Sequence, residues 1–270
     1  MSLRINTNVS ALTAYQNLNN NQSAQADAIQ KLSSGLRINK AADDAAGLSI
    51  SQGLTSQING LTQAVANSQD GINVAQIADG ALGTTQNILQ RMRTLAVQAS
   101  NTGSQDTAAT TAANAELTTL NTQLDNISAQ TSFGGTKLLD GNYNGTFQVG
   151  ANAGETISLA LTKSDSTTLG TAGLDLTTGA SAAITTIDTA ISTVSASRSN
   201  IGATQNQLNY TVQNLQSAIT NVTSSRSNIT DADLAVEVGK MTQAQILSQA
   251  ATSVLAQANS APNSVLKLLQ

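Results

Sequence analysis

From Ile184 to Ile229 the chain places apolar residues at alternating spacings of three and four. Eleven of the fourteen positions on this stripe are aliphatic: Ile184, Ile187, Ile191, Val194, Ile201, Leu208, Val212, Leu215, Ile219, Val222 and Ile229. The other three are Arg198, Gln205 and Arg226. No proline interrupts the stripe, and Gly202 is its only glycine. The pattern predicts one helix of about 46 residues, roughly 70 Å long, carrying a packing seam. Propensity alone does not hold so long a helix together, so its stripe must be buried against other helices.

The rest of the chain predicts helices, a small β excursion, and helices again. A first helix carries Ile29, Leu32 and Leu36 on a stripe running back through Gln25, Gln22, Leu18 and Tyr15. The stripe is polar in its middle, so an isolated subunit would hold this helix weakly. Gly35 and the run Ala42–Gly47 interrupt it, and Asp43 and Asp44 sit where carboxylates cap a following helix. A second helix reaches about Ala99 with two seams, Leu54, Ile58, Leu61, Val65 and Ile72, then Val74, Ala78, Ala81, Ile88, Met92 and Leu95. The register shift between them predicts a change of partner. After a turn at Asn101–Ser104, with Ser104 as the expected cap, a third helix carries Ala113, Leu117, Leu120, Leu124 and Ile127. Period-two alternation then predicts strands at Thr146–Val149 and Thr156–Leu161, with Asn144–Gly145 as a tight-turn pair. The tail restarts at a capping-box-like Thr230–Asp233 and ends on Ile246, Leu247, Val254, Leu255, Val265, Leu266, Leu268 and Leu269. Chain ends should lie together, with the β part at the far tip.

Composition changes this picture in two ways. Only five aromatic residues are present and charged residues make up 10%, so the flanks of the seams are small and neutral: Ser195, Ser197, Thr204, Asn206, Thr211, Ser217. Water-exposed coiled coils usually carry Glu and Lys there. Neutral faces approach one another with little desolvation of charge, which suits a chain covered by neighbours. The net charge of −4, with twelve scattered basic residues, disfavours a nucleic-acid partner. Absence of cysteine and histidine removes disulfides, thiol chemistry and His-based metal or triad sites. No continuous apolar run predicts a cleaved signal or a membrane span, which by itself suggests a cytoplasmic protein.

The motifs resemble those of bacterial flagellin over essentially the whole chain. Ile5–Asn8, Leu32–Asn39 and Asp43–Gly47 look like the family's amino-terminal signature, and Leu89–Gln98 like its conserved helix. Gln130–Gly135 and Gln148–Asn152 fall where the family passes from helix to hairpin; Ala244–Leu247 and Ser253–Asn259 resemble its carboxy-terminal helix. The resemblance implies a mainly α fold, a long antiparallel helical coiled-coil bundle with a small β-hairpin tip. Residues 1–44 and 231–270 would be terminal helices of the inner filament core, disordered in the monomer. Residues 45–230 would form a rod-like helical domain with the hairpin region at about 138–178. Only about twenty residues separate Leu161 from Ala182, so the outer variable domains of many flagellins look absent.

The implied function is a structural subunit that self-assembles into the flagellar filament, without catalysis or cofactors. The alternative is the hook–filament junction protein, which shares flagellin-like ends. The resemblance also implies export through the flagellar channel, which replaces the cytoplasmic reading with an extracellular filament. Implied partners are other copies of the chain, an export chaperone and the secretion apparatus, the filament cap, the junction proteins and the host innate immune receptor for flagellin. Gln90, Arg91, Leu95 and Glu116 match the family's receptor-contact positions, although Leu95 and Arg91 also read simply as seam and subunit-facing residues. Thr94 stands where strongly recognised members carry a glutamate. Ile246, Leu247, Val254, Leu255, Val265, Leu266 and Leu269 match the terminal-core and chaperone-held segment. Asp43 and Asp44 read as helix caps rather than metal ligands, and Ser264–Lys267 as a chance Ser-x-x-Lys spacing.

Overall fold

A computed structural model describes residues 7–268, with side chains through residue 260. Five helices, α1 (Val9–Ser34), α2 (Ala45–Ala99), α3 (Thr107–Gln130), α4 (Leu176–Thr230) and α5 (Leu234–Leu268), enclose four short strands in the sequence. The strands are β1 (Ser132–Phe133), β2 (Thr136–Lys137), β3 (Asn144–Gln148) and β4 (Thr156–Ala160). They form two antiparallel hairpins, β1–β2 and β3–β4. The chain divides into two compact units, residues 1–56 with 221–270 and residues 57–220.

In the first unit α1 packs antiparallel on α5, which brings Asn8 to Ala258: Asn8 Nδ2 donates to the Ala258 carbonyl at 2.7 Å. Asn8 also caps α1, its Oδ1 accepting from Ala11 N, and Gly35 at φ 71° ends it. The expected stripe of α1 is turned by one residue. Ala14, Leu18 and Ala28 are buried, whereas Tyr15 and Ile29 are 55% and 48% exposed. The buried residues of α5 are Ala244, Ala258 and Glu237, the last accepting from Lys240 Nζ at 2.7 Å. Asp44 caps α2 by accepting from Gly47 N, but Asp43 does not cap; it accepts from Asn39 N and Lys40 N and closes the preceding loop. Asp233, not Thr230, caps α5 through Ala235 N. Residues 35–37 and 229–232 are tied by backbone bonds from Arg37 N to the Thr230 carbonyl and from Ala232 N to the Gly35 carbonyl.

In the second unit α2, α3 and α4 surround one core. The two seams expected on α2 are a single one. Leu61, Ala64, Ser68, Gly71, Ala75, Ala78, Leu82, Thr85, Leu89, Met92, Ala96 and Ala99 are all buried at unbroken three–four spacing. Eight of these twelve residues are small or polar, so a search weighted to large apolar residues does not follow the row and breaks it into two registers. On α4, Ile187, Val194, Ile201, Leu208 and Leu215 are buried at every seventh residue; Ile184, Ile191, Val212, Ile219, Val222 and Ile229 are half-buried. Before the stripe begins, Gly179 breaks the helical geometry of α4 (φ −136°, ψ 31°).

The strands arise much where expected, but their turns do not. Asn144–Gly145 lies inside β3, paired with Ala160 and Leu159. The tight turn is Gly134–Gly135 (φ 56° and 85°) between β1 and β2, a two-residue turn that needs positive φ at both positions. Asp106, rather than Ser104, caps α3 by accepting from Ala109 N. The β3–β4 hairpin is not a projecting tip: it lies along α2, with Asn67 Nδ2 donating to the Gln148 carbonyl at 3.0 Å. Its seat depends on missing side chains. A Cβ on Gly71 would meet Leu208 Cδ1 and Phe147 Cγ at 3.1 Å, and one on Gly60 would meet the Ala151 Cβ at 3.0 Å.

Two substitutions test this packing by denaturant unfolding. Gly71→Val should overpack the α2–α4–β3 junction and cost about 1–3 kcal/mol. The Thr85 hydroxyl is buried without a hydrogen-bond partner. Thr85→Val should therefore be neutral or stabilise by about 1 kcal/mol, because it removes an unmet polar group at nearly constant shape.

Candidate functional site

Among the described residues no cluster of acidic or metal-ligating side chains could hold a metal ion, and no helix is long and apolar enough to cross a membrane. The α1–α5 unit buries few large side chains and leaves many outside: Val9, Leu12, Tyr15, Leu234, Ile246 and Val254 are each more than half exposed, and Leu247 is 44% exposed. Ile246, Leu247 and Val254, singled out in the sequence, therefore lack cover within the subunit; Leu255 is half-buried in the row facing α1. The side chains of Val265 and Leu266, and all of Leu269, lie outside the described residues. An open groove of about 340 Å³ between α1 and α5 is lined by Ala24, Ala28, Ala244 and Leu247, with Asp27, Lys31, Glu237 and Lys240 at its edges. The seam between the two helices thus holds few large side chains, while several lie outside it.

Charge is handled differently in the second unit, where five basic face ten acidic side chains. Four of the five bases are tied down internally. Arg198, the unexplained position on the α4 stripe, reaches across the seam to Asp79 at 2.8 Å and Gln86 at 2.7 Å. Arg93 pairs with Asp188 on α4, and Lys163 pairs with Asp165. Arg91 makes a two-pronged contact from α2 to Glu116 on α3, at 2.7 and 3.0 Å. Hydrogen bonding and charge from Glu116 raise the Arg91 pKa, and the reciprocal bond holds the Glu116 carboxyl below its usual range.

Of the positions matched to the receptor, Arg91 and Glu116 are thus brought together and Gln90 is exposed beside them. Leu95 is only 3% exposed and belongs to the core, so it has no free surface to offer a partner. Thr94 is exposed and spends its hydroxyl on the Gln90 carbonyl at 3.0 Å. The same bond recurs along the helices: Thr13, Thr62, Thr118, Thr189, Thr211 and Thr220 each donate to the carbonyl four residues earlier. Periodicity did not expose this feature, although a surface so rich in Thr and Ser on helices was the available signal.

By its fold the chain is a mainly helical protein whose α1–α5 pair leaves large apolar side chains uncovered. The family model for the bacterial flagellin N-terminal helical region matches residues 5–144, and that for the C-terminal helical region matches residues 184–269. Flagellin of Bacillus subtilis (strain 168) is 42% identical over 304 residues, spanning 99% of this chain and 100% of that protein. Flagellin of Halalkalibacterium halodurans is 46% identical over 273 residues, spanning 98% and 99%. The crystal structure of Bacillus cereus flagellin superposes with a TM-score of 0.50 at 30% identity, covering 60% of this chain and 94% of that one. The chain belongs to the bacterial flagellin family. It is a structural subunit of the flagellar filament, in a short form without a large variable domain between the two matched regions.

The carboxylates set an acid limit. Glu116 is held low by Arg91, Asp43 by the Lys40 and Asn39 amides, and Asp231 by the Ser227 and Thr230 hydroxyls. Depressed pKa values contribute stability that is present above the unfolded values and lost as pH falls through the folded ones. With no histidine in the chain, the thermal midpoint should stay nearly flat from about pH 6 to 9 and drop below about pH 4.5. A scan of midpoint against pH showing a step near neutrality would contradict this.

Proposed function

We propose that the chain acts, without catalysis, as an extracellular filament subunit whose polymer contacts centre on the outward faces of α1 and α5. The observation that carries this reading is the imbalance in that unit: the buried positions of α1 and α5 are mostly alanine, with Leu18 and Glu237, and Val9, Leu12, Tyr15, Ile246 and Val254 face outward. Burying one such side chain contributes roughly 1.5–3 kcal/mol, so a few of them covered by neighbours outweigh the loss of subunit freedom. Residues 1–44 and 231–270 form the inner core of the polymer in this reading, and α1 and α5 take up their full order as neighbours cover them. Residues 45–230 form the helical body outside that core.

Before assembly the same apolar positions need protection. An export chaperone holding the segment around Ile246, Leu247, Val254 and Leu255 would supply it, ahead of passage through the secretion apparatus and placement under the filament cap beyond the junction proteins. A host receptor for flagellin would meet the Gln90, Arg91 and Glu116 surface, with Leu95 acting only through the packing that sets α2 against α3.

Seeded growth of purified monomer, followed by light scattering and negative-stain electron microscopy, tests the filament reading. Wild-type protein should give long filaments, while Leu12→Asp or Ile246→Asp should raise the critical concentration by roughly tenfold or more per buried side chain lost. Unchanged growth of both variants would remove α1 and α5 from the contact. For the receptor surface, Arg91→Ala should lower activation in a cell reporter by roughly tenfold. A reporter silent to saturating wild-type monomer would remove that partner.

A further inference from the structure

We propose that Lys137 and Asp70 form an ion pair between copies, the Lys137 ammonium of one filament subunit meeting the Asp70 carboxylate of an adjacent one. The inference rests on the filament reading and specifies a contact within it. Its basis is the charge inventory of residues 57–220. Four of the five basic side chains there are already in internal ion pairs, which leaves Lys137, exposed at the end of β2, as the one cation without a partner among the described residues.

The ten carboxylates sort in the same way. Four serve those ion pairs. Asp106, Asp125, Asp140, Glu155 and Asp175 accept hydrogen bonds from nearby backbone or side-chain groups. Asp70 alone has neither an ion-pair partner nor a hydrogen bond among the described residues, and it is exposed in the middle of α2. Aspartate is a weak helix former there, and no basic residue stands three or four positions away to compensate: those positions are Ala66, Asn67, Asn73 and Val74. The unit therefore presents one unmatched cation and one unmatched anion. In a polymer of identical subunits, every copy can use both at once, as donor to one neighbour and acceptor from another. An unmatched lysine on a short edge strand also discourages strand pairing, a role that asks for charge but no partner. The two roles differ in whether position 70 of a neighbour is close.

Because the chain has no cysteine, that proximity can be read directly. Lys137→Cys/Asp70→Cys protein, assembled on wild-type seeds, is treated with a short bismaleimide, since a Lys–carboxylate contact leaves the backbones too far apart for a disulfide. A ladder of dimers and longer multimers on a denaturing gel is expected from filaments, and none from monomers or from filaments of either single variant. Filaments that form without a ladder would overturn the pair. If the double-cysteine protein fails to polymerise, seeded growth of charge-swapped chains decides. Lys137→Asp and Asp70→Lys should each raise the critical concentration about threefold to tenfold, and combining them should restore it; a combination as impaired as the singles would overturn the pair. Wild-type protein that does not extend seeds would instead count against the filament reading itself.

Discussion

Close approach of helices through small side chains is the constraint on which this chain depends. Along α2 the buried row runs through Ala64, Ser68, Gly71, Ala75 and Ala78 in succession before it reaches Leu82, Leu89 and Met92. Across the seam Leu208 of α4 reaches Gly71, so a large side chain of one helix falls where the other has none. Space is also left for a third layer: Phe147 rests over Gly71 and Ala151 against Gly60, which seats the β3–β4 hairpin on α2 instead of away from it. The α1–α5 pair follows the same rule with a thinner core, and it is there that the displaced large side chains point outward.

The elements were legible in the sequence because the helical period is strong and turns are marked by glycine and aspartate. Five helices, the β excursion and the return of α5 onto α1 follow from that signal. Which residues fill the buried rows was less legible, because the reading favoured large apolar residues over small ones. On α1 that reading picked Tyr15 and Ile29, which face outward, over Ala14 and Ala28, which face inward. On α2 it split one seam in two. The Asn144–Gly145 pair misled for a related reason: the glycine in β3 serves close packing, since a side chain there would collide with Tyr143, and not turn geometry. Of the positions carried over from the family, Arg91 and Glu116 are joined by a contact that spacing alone could not give, and Leu95 is withdrawn into the core.

Electrostatics fix register where small residues cannot. Alanine-rich seams are permissive to sliding because one alanine resembles the next. Arg198 removes that freedom between α4 and α2 by reaching Asp79 and Gln86, and Arg93 with Asp188 repeats the restraint further along the same two helices. Arg91 with Glu116 does the same between α2 and α3. These pairs are half-exposed, so each contributes little to net stability. Their value is in penalising a slipped alignment, which would break several of them together.

The neutral surface resolves a conflict that any subunit covered by its own copies must face. Polar groups keep the isolated chain dissolved, yet burying polar groups is costly unless their hydrogen bonds are met. Lysine and glutamate would make the first task easy and the second expensive. Threonine and serine on helices offer another balance, because their hydroxyls donate to the carbonyl four residues back and enter a contact already satisfied as donors. The oxygen still accepts from water while the subunit is free. A face of this kind loses less on being covered than a charged one, and it carries no long side chains whose freedom must be frozen. In the proposed reading, large apolar residues drive association from a few outward positions, which matches their confinement to a minority of sites. In that reading, the residues that drive association and those that keep the single chain dissolved are different ones.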